Sequence, residues 1–238
     1  GAWEWSRLGG LHATAARLGY VAMLAGLCLV LWAADALVAQ VVLALAALWW
    51  VGLTFWLAAG GRDHTLASEA GPRWWALALG LLVLSALMLA ITSLAVPGIG
   101  RGVLLYAVCL VWAADIGAYF TGRAWGRRPL APRISAGKTW EGLAGGLVAV
   151  LIYALVSAAL LGIAPAGLFA WVALALAAGT VSVPGDLFVS LLKRAAGIKD
   201  SGALLPGHGG LLDRIDSLIA AIPILALGLA SAPVELLP

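Results

Sequence analysis

Between positions 185 and 216 the chain crowds together the residue types that handle phosphate and a hard cation. Gly185-Asp186 is followed by Ser190, Lys193 and Arg194, then Lys199-Asp200, then Pro206-Gly207-His208-Gly209-Gly210, then Asp213, Arg214 and Asp216. On a continuous helix Asp186, Ser190 and Lys193 stand at i, i+4 and i+7 and share one face, and Asp213 and Asp216, at i and i+3, share a face of the next. Carboxylates that meet around Mg²⁺ beside Lys, Arg and a glycine-rich turn are what a polyphosphate site requires. The metal bridges phosphate oxygens, the cations neutralise charge, and bare backbone N–H groups approach closely. The competing reading is a solvated loop paired internally, Lys199 with Asp200 and Asp213 with Arg214. Each residue alone fits that reading; His-Gly-Gly, Lys-Asp and Asp-Arg-x-Asp in one short segment do not.

A second segment, 115–142, carries Asp115, Arg123, Arg127, Arg128, Ser135 and Gly137-Lys138-Thr139. Gly-Lys-Thr resembles the end of a phosphate-binding P-loop, but that motif needs another glycine five positions before Gly137, where Pro132 stands, and a preceding strand. The Walker reading fails, yet Ser135, Lys138 and Thr139 remain a donor cluster suited to phosphate. Asp115 either joins the site or pairs with Arg123 or Lys138. Gly142 and Gly146 form a G-x-x-x-G spacing that reads as close helix packing.

The elements that position these residues are membrane spans. Of 238 residues 63% are hydrophobic and 11% charged, against about 45–50% and about 25% in an ordinary globular domain. That balance excludes a soluble fold and a disordered chain, and two cysteines inside apolar runs exclude a disulfide scaffold. Seven stretches are long enough to span: 19–38, 40–59, 74–95, 102–120, 143–162, 166–189 and 213–230, the last carrying Pro223. The fold expected is all-α, a polytopic helical bundle forming one membrane-embedded domain. Trp49, Trp50, Trp56, Trp74 and Trp75 fall near predicted span ends, where aromatic belts meet the lipid–water boundary.

Alternate connections put residues 1–18, 60–73, 121–142 and 190–217 on one side, with 13 of the 14 Lys and Arg residues; Arg101 is the exception. By the positive-inside rule that side is the cytoplasm. The net charge of +3 therefore points to cytoplasmic loops and anionic lipid, not to nucleic acid. Asp186 lies inside an apolar span, where an ionisable group is a functional hypothesis by default.

These residues resemble the phosphatidate cytidylyltransferases (CDP-diacylglycerol synthases). The match runs through Gly185-Asp186-Leu187, Ser190…Lys193-Arg194, Lys199-Asp200…Gly202, Leu205-Pro206-Gly207-His208-Gly209-Gly210 and Asp213-Arg214…Asp216. The run from Asp115 through Ala118-Tyr119, Gly122, Gly126, Leu130-Ala131-Pro132 and Ser135 to Lys138-Thr139-Trp140 resembles the family's other cytoplasmic segment. Trp3-Glu4-Trp5 resembles a short motif after its first helices. Departures are Ala136 where Pro is expected, Val189 where Glu is frequent, and Pro184, which is expected to break the helix beside the metal site. The family carries more apolar sequence at its start, so a chain lacking N-terminal helices is expected here.

The resemblance implies that CTP and phosphatidate give CDP-diacylglycerol and pyrophosphate, in an integral membrane protein of the bacterial inner membrane with its site facing the cytoplasm. The phosphatidate oxygen is already ionised, since a phosphomonoester's second pKa is about 6, so positioning and charge stabilisation carry the reaction. Asp186 and Asp213 are expected to hold Mg²⁺, with Asp216 a third candidate and room for a second, monovalent or divalent, cation. Lys193, Arg194, Lys199 and Arg214 neutralise the triphosphate; His208, Gly209 and Gly210 line its cradle, beside Asp200 and Ser190. Ser135, Lys138 and Thr139, with Asp115 and Arg123 nearby, bind the phosphatidate head group or form the second wall. The expected partners are CTP, phosphatidate, the bilayer and a second copy in a homodimer.

Two other enzymes and a transporter compete with this reading. A CTP-dependent lipid kinase needs a base, for which His208 is the nearby imidazole. A CDP-alcohol phosphotransferase needs a D-G-x-x-A-R…G-x-x-x-D-x-x-x-D pattern that is absent. An anion transporter needs polar residues deep in several spans and on both sides, whereas here they collect on one.

Overall fold

The computed structural model describes residues 1–61, 71–95, 100–202, 204 and 209–230; His208 lies outside the described residues. Eight helices are described: α1 (Ala2–Leu8), α2 (Thr14–Trp32), α3 (Ala36–Ala58), α4 (Trp74–Leu94), α5 (Gly100–Trp125), α6 (Trp140–Leu161), α7 (Pro165–Ala195) and α8 (Leu212–Ala230). Between α5 and α6 a two-stranded antiparallel hairpin joins β1 (Pro129–Ala131) to β2 (Ser135–Thr139). Six helices, α2 to α7, are long and apolar enough to cross a membrane. α8 has 19 residues but carries Asp213, Arg214 and Asp216 in its first five. The seven expected spans thus correspond to α2–α8, and among the described residues the hairpin is the departure from an all-helical fold.

Local chemistry explains the boundaries. Thr139 caps α6, its hydroxyl accepting the Gly142 N–H at 3.0 Å, and Gly162 ends that helix in the left-handed region at φ 70°. Pro165 opens α7 at the position where a missing N–H costs nothing. Pro184 does not break α7, which runs unbroken to Ala195. Inside a membrane bundle the neighbouring helices hold such a helix on both sides of the proline, and here Pro184 is buried between them.

Small residues bring the helices that matter into backbone contact. The most extensive pairings are α5 with α6 and α7 with α8. A Cβ on Gly142 would stand 2.9 Å from the Ala118 carbonyl oxygen, and one on Gly146 would stand 2.8 Å from that of Ala114. The G-x-x-x-G spacing is therefore a packing seam, as its sequence suggests.

At the basic end, Phe188 of α7 sits among Trp5, Trp49, Trp50 and Trp75, with ring centroids 5.7–6.4 Å away. This cluster joins α1, α3, α4 and α7. It corrects the belt assignment for Trp50, which is fully buried, and for Trp49, which is partly buried; Trp56, Trp74 and Trp75 remain exposed.

Candidate active site at the α7–α8 crossing

α7 and α8 meet at Gly185. A Cβ there would stand 2.7 Å from the Asp216 carbonyl oxygen and 2.9 Å from the Ala220 Cβ, so only glycine permits this approach. The contact sets Asp186 beside the Asp216 turn. The i, i+4 spacing on α7 is realised directly: the Ser190 hydroxyl donates to Asp186 Oδ1 at 3.1 Å. The other oxygen, Oδ2, takes an ion pair from Lys138 Nζ at 2.7 Å.

Lys138 reaches Asp186 because the hairpin folds back over the helix ends. Glu141, at the first turn of α6, accepts the Arg127 and Arg128 N–H groups at 3.1 and 3.2 Å and pins the start of the hairpin to its end. Leu130, Ala131 and Ile134 are buried beneath it. Ser135 and Thr139 flank the lysine on β2, and Gly122 and Gly126 leave room for the Thr139 side chain.

A second ion pair lies along the same helix ends. Lys193 Nζ donates to Asp213 Oδ1 at 2.8 Å. Asp213 Oδ2 accepts from the Ser201 N–H at 2.8 Å, the Ser201 hydroxyl at 3.0 Å and the Gly210 N–H at 3.0 Å. Asp213 thus pairs with Lys193, 20 positions away in the chain. Gly209, at φ +84°, adopts the left-handed conformation that this turn needs, close to Asp200 and Asp213.

Asp186 lies in the field of both lysines. Asp216 feels Asp186, Lys193 and Lys138, and Asp115 feels Lys138 and Asp186. Three carboxylates and two ammonium groups therefore form one electrostatic unit, although no group of three or more His, Cys, Asp or Glu side chains among the described residues is close enough to enclose a metal alone. A cavity of about 210 Å³ opens beside it, lined by Asp115 and Tyr119 of α5, Lys138 and Thr139 of β2, and small and apolar residues of α6 and α7.

Other expected site residues stand farther out. Arg123 turns to the Tyr119 hydroxyl at 2.7 Å and so does not pair with Asp115. Arg194, Lys199, Asp200 and Arg214 are exposed around the loop mouth, where long cations can reach a ligand. Gly210 is buried because its Cα faces Ser201 and Glu4.

Glu4 and Ser201 went unassigned in the sequence. Glu4, 6% exposed, accepts the Leu211 N–H at 2.9 Å and the Leu212 N–H at 2.6 Å, and at 3.1 Å it shares with Asp213 the single proton of the Ser201 hydroxyl. The available signal was a lone carboxylate between two tryptophans, in the Trp3-Glu4-Trp5 motif.

Comparison with known proteins places the chain in a family. Residues 1–232 match the model of the cytidylyltransferase family. A phosphatidate cytidylyltransferase of Pseudomonas aeruginosa is 43% identical over 243 residues, covering 95% of this chain and 82% of that protein. That of Haemophilus influenzae is 50% identical over 132 residues, 53% of this chain and 45% of its own length. That of Bacillus subtilis is 42% identical over 126 residues, 53% and 46% respectively. With the matched region running from the α1 motif through α8, the chain belongs to the cytidylyltransferase family.

Proposed function

We propose that this chain transfers the cytidylyl group of CTP to phosphatidate, giving CDP-diacylglycerol and pyrophosphate, at the cytoplasmic face of a bacterial inner membrane. The observation that carries the proposal is the pair of lysine–aspartate bridges, Lys138–Asp186 and Lys193–Asp213, in one field beside a cavity between α5, α6 and α7. Two anionic substrates need two cationic positions, one reached from the bilayer and one from water.

Lys138 and Thr139 line the cavity between the spans and suit the phosphate of a lipid whose acyl chains stay in the bilayer. An adjoining apolar cavity of about 210 Å³ shares Leu130, Leu143 and Val183 with it and suits the start of an acyl chain. Lys193, with exposed Arg194, Lys199 and Arg214 at the loop mouth, suits the triphosphate. A phosphatidate oxygen attacks the α-phosphorus, the bond from that phosphorus to the α–β bridging oxygen breaks, and pyrophosphate leaves. The nucleophile is already ionised, so these residues supply orientation and charge stabilisation and no strong base is needed.

Asp186 and Asp216 fit Mg²⁺: they are hard oxygen donors set together by the Gly185 contact, and Mg²⁺ is usually held by one or two carboxylates plus substrate phosphates. Asp213, the other expected ligand, is engaged by Lys193 through Oδ1. Bound there, the metal would neutralise charge on the phosphate oxygens.

The test is the fate of label. With Mg²⁺ and phosphatidate, the protein is expected to place the α-phosphate label of CTP in lipid and to leave the γ label in pyrophosphate. A γ label in lipid would identify a lipid kinase instead. Removal of Mg²⁺ by a chelator is expected to stop incorporation, with recovery on adding the metal back; full activity in chelator would remove the metal from the reading.

A further inference from the structure

Two buried charges at the basic end of the bundle touch neither lysine–aspartate bridge. Glu4 sits at the first turn of α8, where free N–H groups and the positive end of the helix dipole favour a carboxylate. Arg73, 5% exposed, donates to the Ala195 carbonyl at 2.7 Å and the Leu8 carbonyl at 3.3 Å. Those carbonyls end α7 and α1, where the dipole favours a cation. Burying either charge costs several kcal/mol unless such partners compensate it. The two sites match in sign and in place: one closes the start of α8, the other the end of α7.

α1 connects them. Its Trp5 indole donates to the Ala76 carbonyl at 2.8 Å and fills the space above Gly80, where a Cβ would meet the indole at 2.2 Å. The Arg73 backbone N–H donates to the Gly9 carbonyl at 2.8 Å. Gly202 and Gly210 exist for the same contact, since a Cβ on either would stand 2.6 or 2.8 Å from the Glu4 carboxyl group. The segment between α7 and α8 is therefore tied at both ends to one short helix. Lys193 lies two residues before the Arg73 tie, and Asp213 one residue after the Glu4 tie.

We propose that Glu4 and Arg73 are positioning residues: through α1 they fix the spacing between the end of α7 and the start of α8. They thereby hold Asp213, Ser201 and Gly210 in place for CTP while Lys193 exchanges Asp213 for phosphate. The inference rests on the cytidylyl-transfer reading above. Neither residue touches substrate; each acts through Ser201, the α8 N-terminus or the α7 C-terminus.

The test uses the full chain in detergent or native membranes, with Glu4→Gln and Arg73→Lys as the principal variants and Glu4→Ala beside them. Glu4→Gln keeps the volume but faces donors with an amide NH₂, and Arg73→Lys keeps the charge but reaches one carbonyl instead of two. The expected result is a KM for CTP raised about 10-fold or more, from the loss of charge-assisted hydrogen bonds, with the KM for phosphatidate within about twofold because Lys138 is held by the hairpin. A merely structural role would lower the folded fraction and Vmax together and leave both KM values unchanged. That outcome, or wild-type kinetics per folded molecule in Glu4→Gln and Arg73→Lys, would overturn the proposal. A wild-type protein that places no α label in lipid refutes the reaction itself; an active wild type with unaltered variants refutes only the positioning role of Glu4 and Arg73.

Discussion

Adding one methyl group at Gly185 should separate the two helices that carry the carboxylates. In Gly185→Ala the new Cβ falls 2.7 Å from the Asp216 backbone oxygen, 2.9 Å from the Ala220 Cβ and 3.5 Å from the Ser217 Cα. The first contact is about 0.7 Å short of an ordinary van der Waals approach, and a helix backbone oxygen cannot rotate away. α8 must therefore shift. Overpacking of this kind costs about 1–3 kcal/mol, against which alanine's better helix propensity returns about 1 kcal/mol. The net loss of stability should be small, about 0–2 kcal/mol, but the displacement falls on Asp216 and Asp186 themselves. A misplacement of about 1 Å at reacting groups can cost about 100-fold in rate, so turnover should fall far more than stability. The assay is α-labelled CTP incorporation per folded molecule, with a thermal melt in detergent. Gly26→Ala is the control, because a Cβ at Gly26 meets nothing within 4 Å; it should leave turnover unchanged. Wild-type turnover in Gly185→Ala would refute the argument that the close crossing sets the site.

Three further outcomes follow from the geometry. Lys138→Ala should reduce turnover about 10- to 100-fold, with a raised KM for phosphatidate and normal membrane insertion; an unchanged rate would reduce the hairpin to a connector. Asp213→Asn should abolish CTP-dependent transfer without removing the protein from the bilayer, because it loses the Lys193 bridge and places an NH₂ against donors; wild-type-like turnover would take Asp213 out of the site. Thr139→Val should lower stability by about 1 kcal/mol through loss of the α6 cap, seen as a lower melting temperature; an equal melting temperature would show that the cap contributes nothing.

Much of the site was legible because its logic is local. Asp186 and Ser190 are hydrogen-bonded at the expected i, i+4 spacing, and Gly142 and Gly146 pack as their spacing suggests. The partners of each charge were not legible. Lys138 joins Asp186 across 48 positions of chain, and Lys193 joins Asp213 across 20. Glu4 lies about two hundred residues from the helix it caps. Such pairings depend on how helices stack, and nothing in local spacing encodes them.

The tryptophans show the same division. Near a span end an indole suits both the lipid boundary and an aromatic core, so composition alone could not separate buried Trp50 from exposed Trp74. Pro184 is similar: its missing N–H is visible in the sequence, but packing decides whether the helix continues, and α7 does.

From the sequence alone came the membrane bundle, the side on which charge gathers, and the phosphate-handling residue types. Hydrophobic length, charge asymmetry and residue chemistry are properties of the chain itself. Only the tertiary structure decided which carboxylate faces which cation, and that a seven-residue helix at the beginning of the chain braces both ends of the loop. Those contacts arise where glycines let backbones approach, and they exist only once α1, α4, α7 and α8 have packed together.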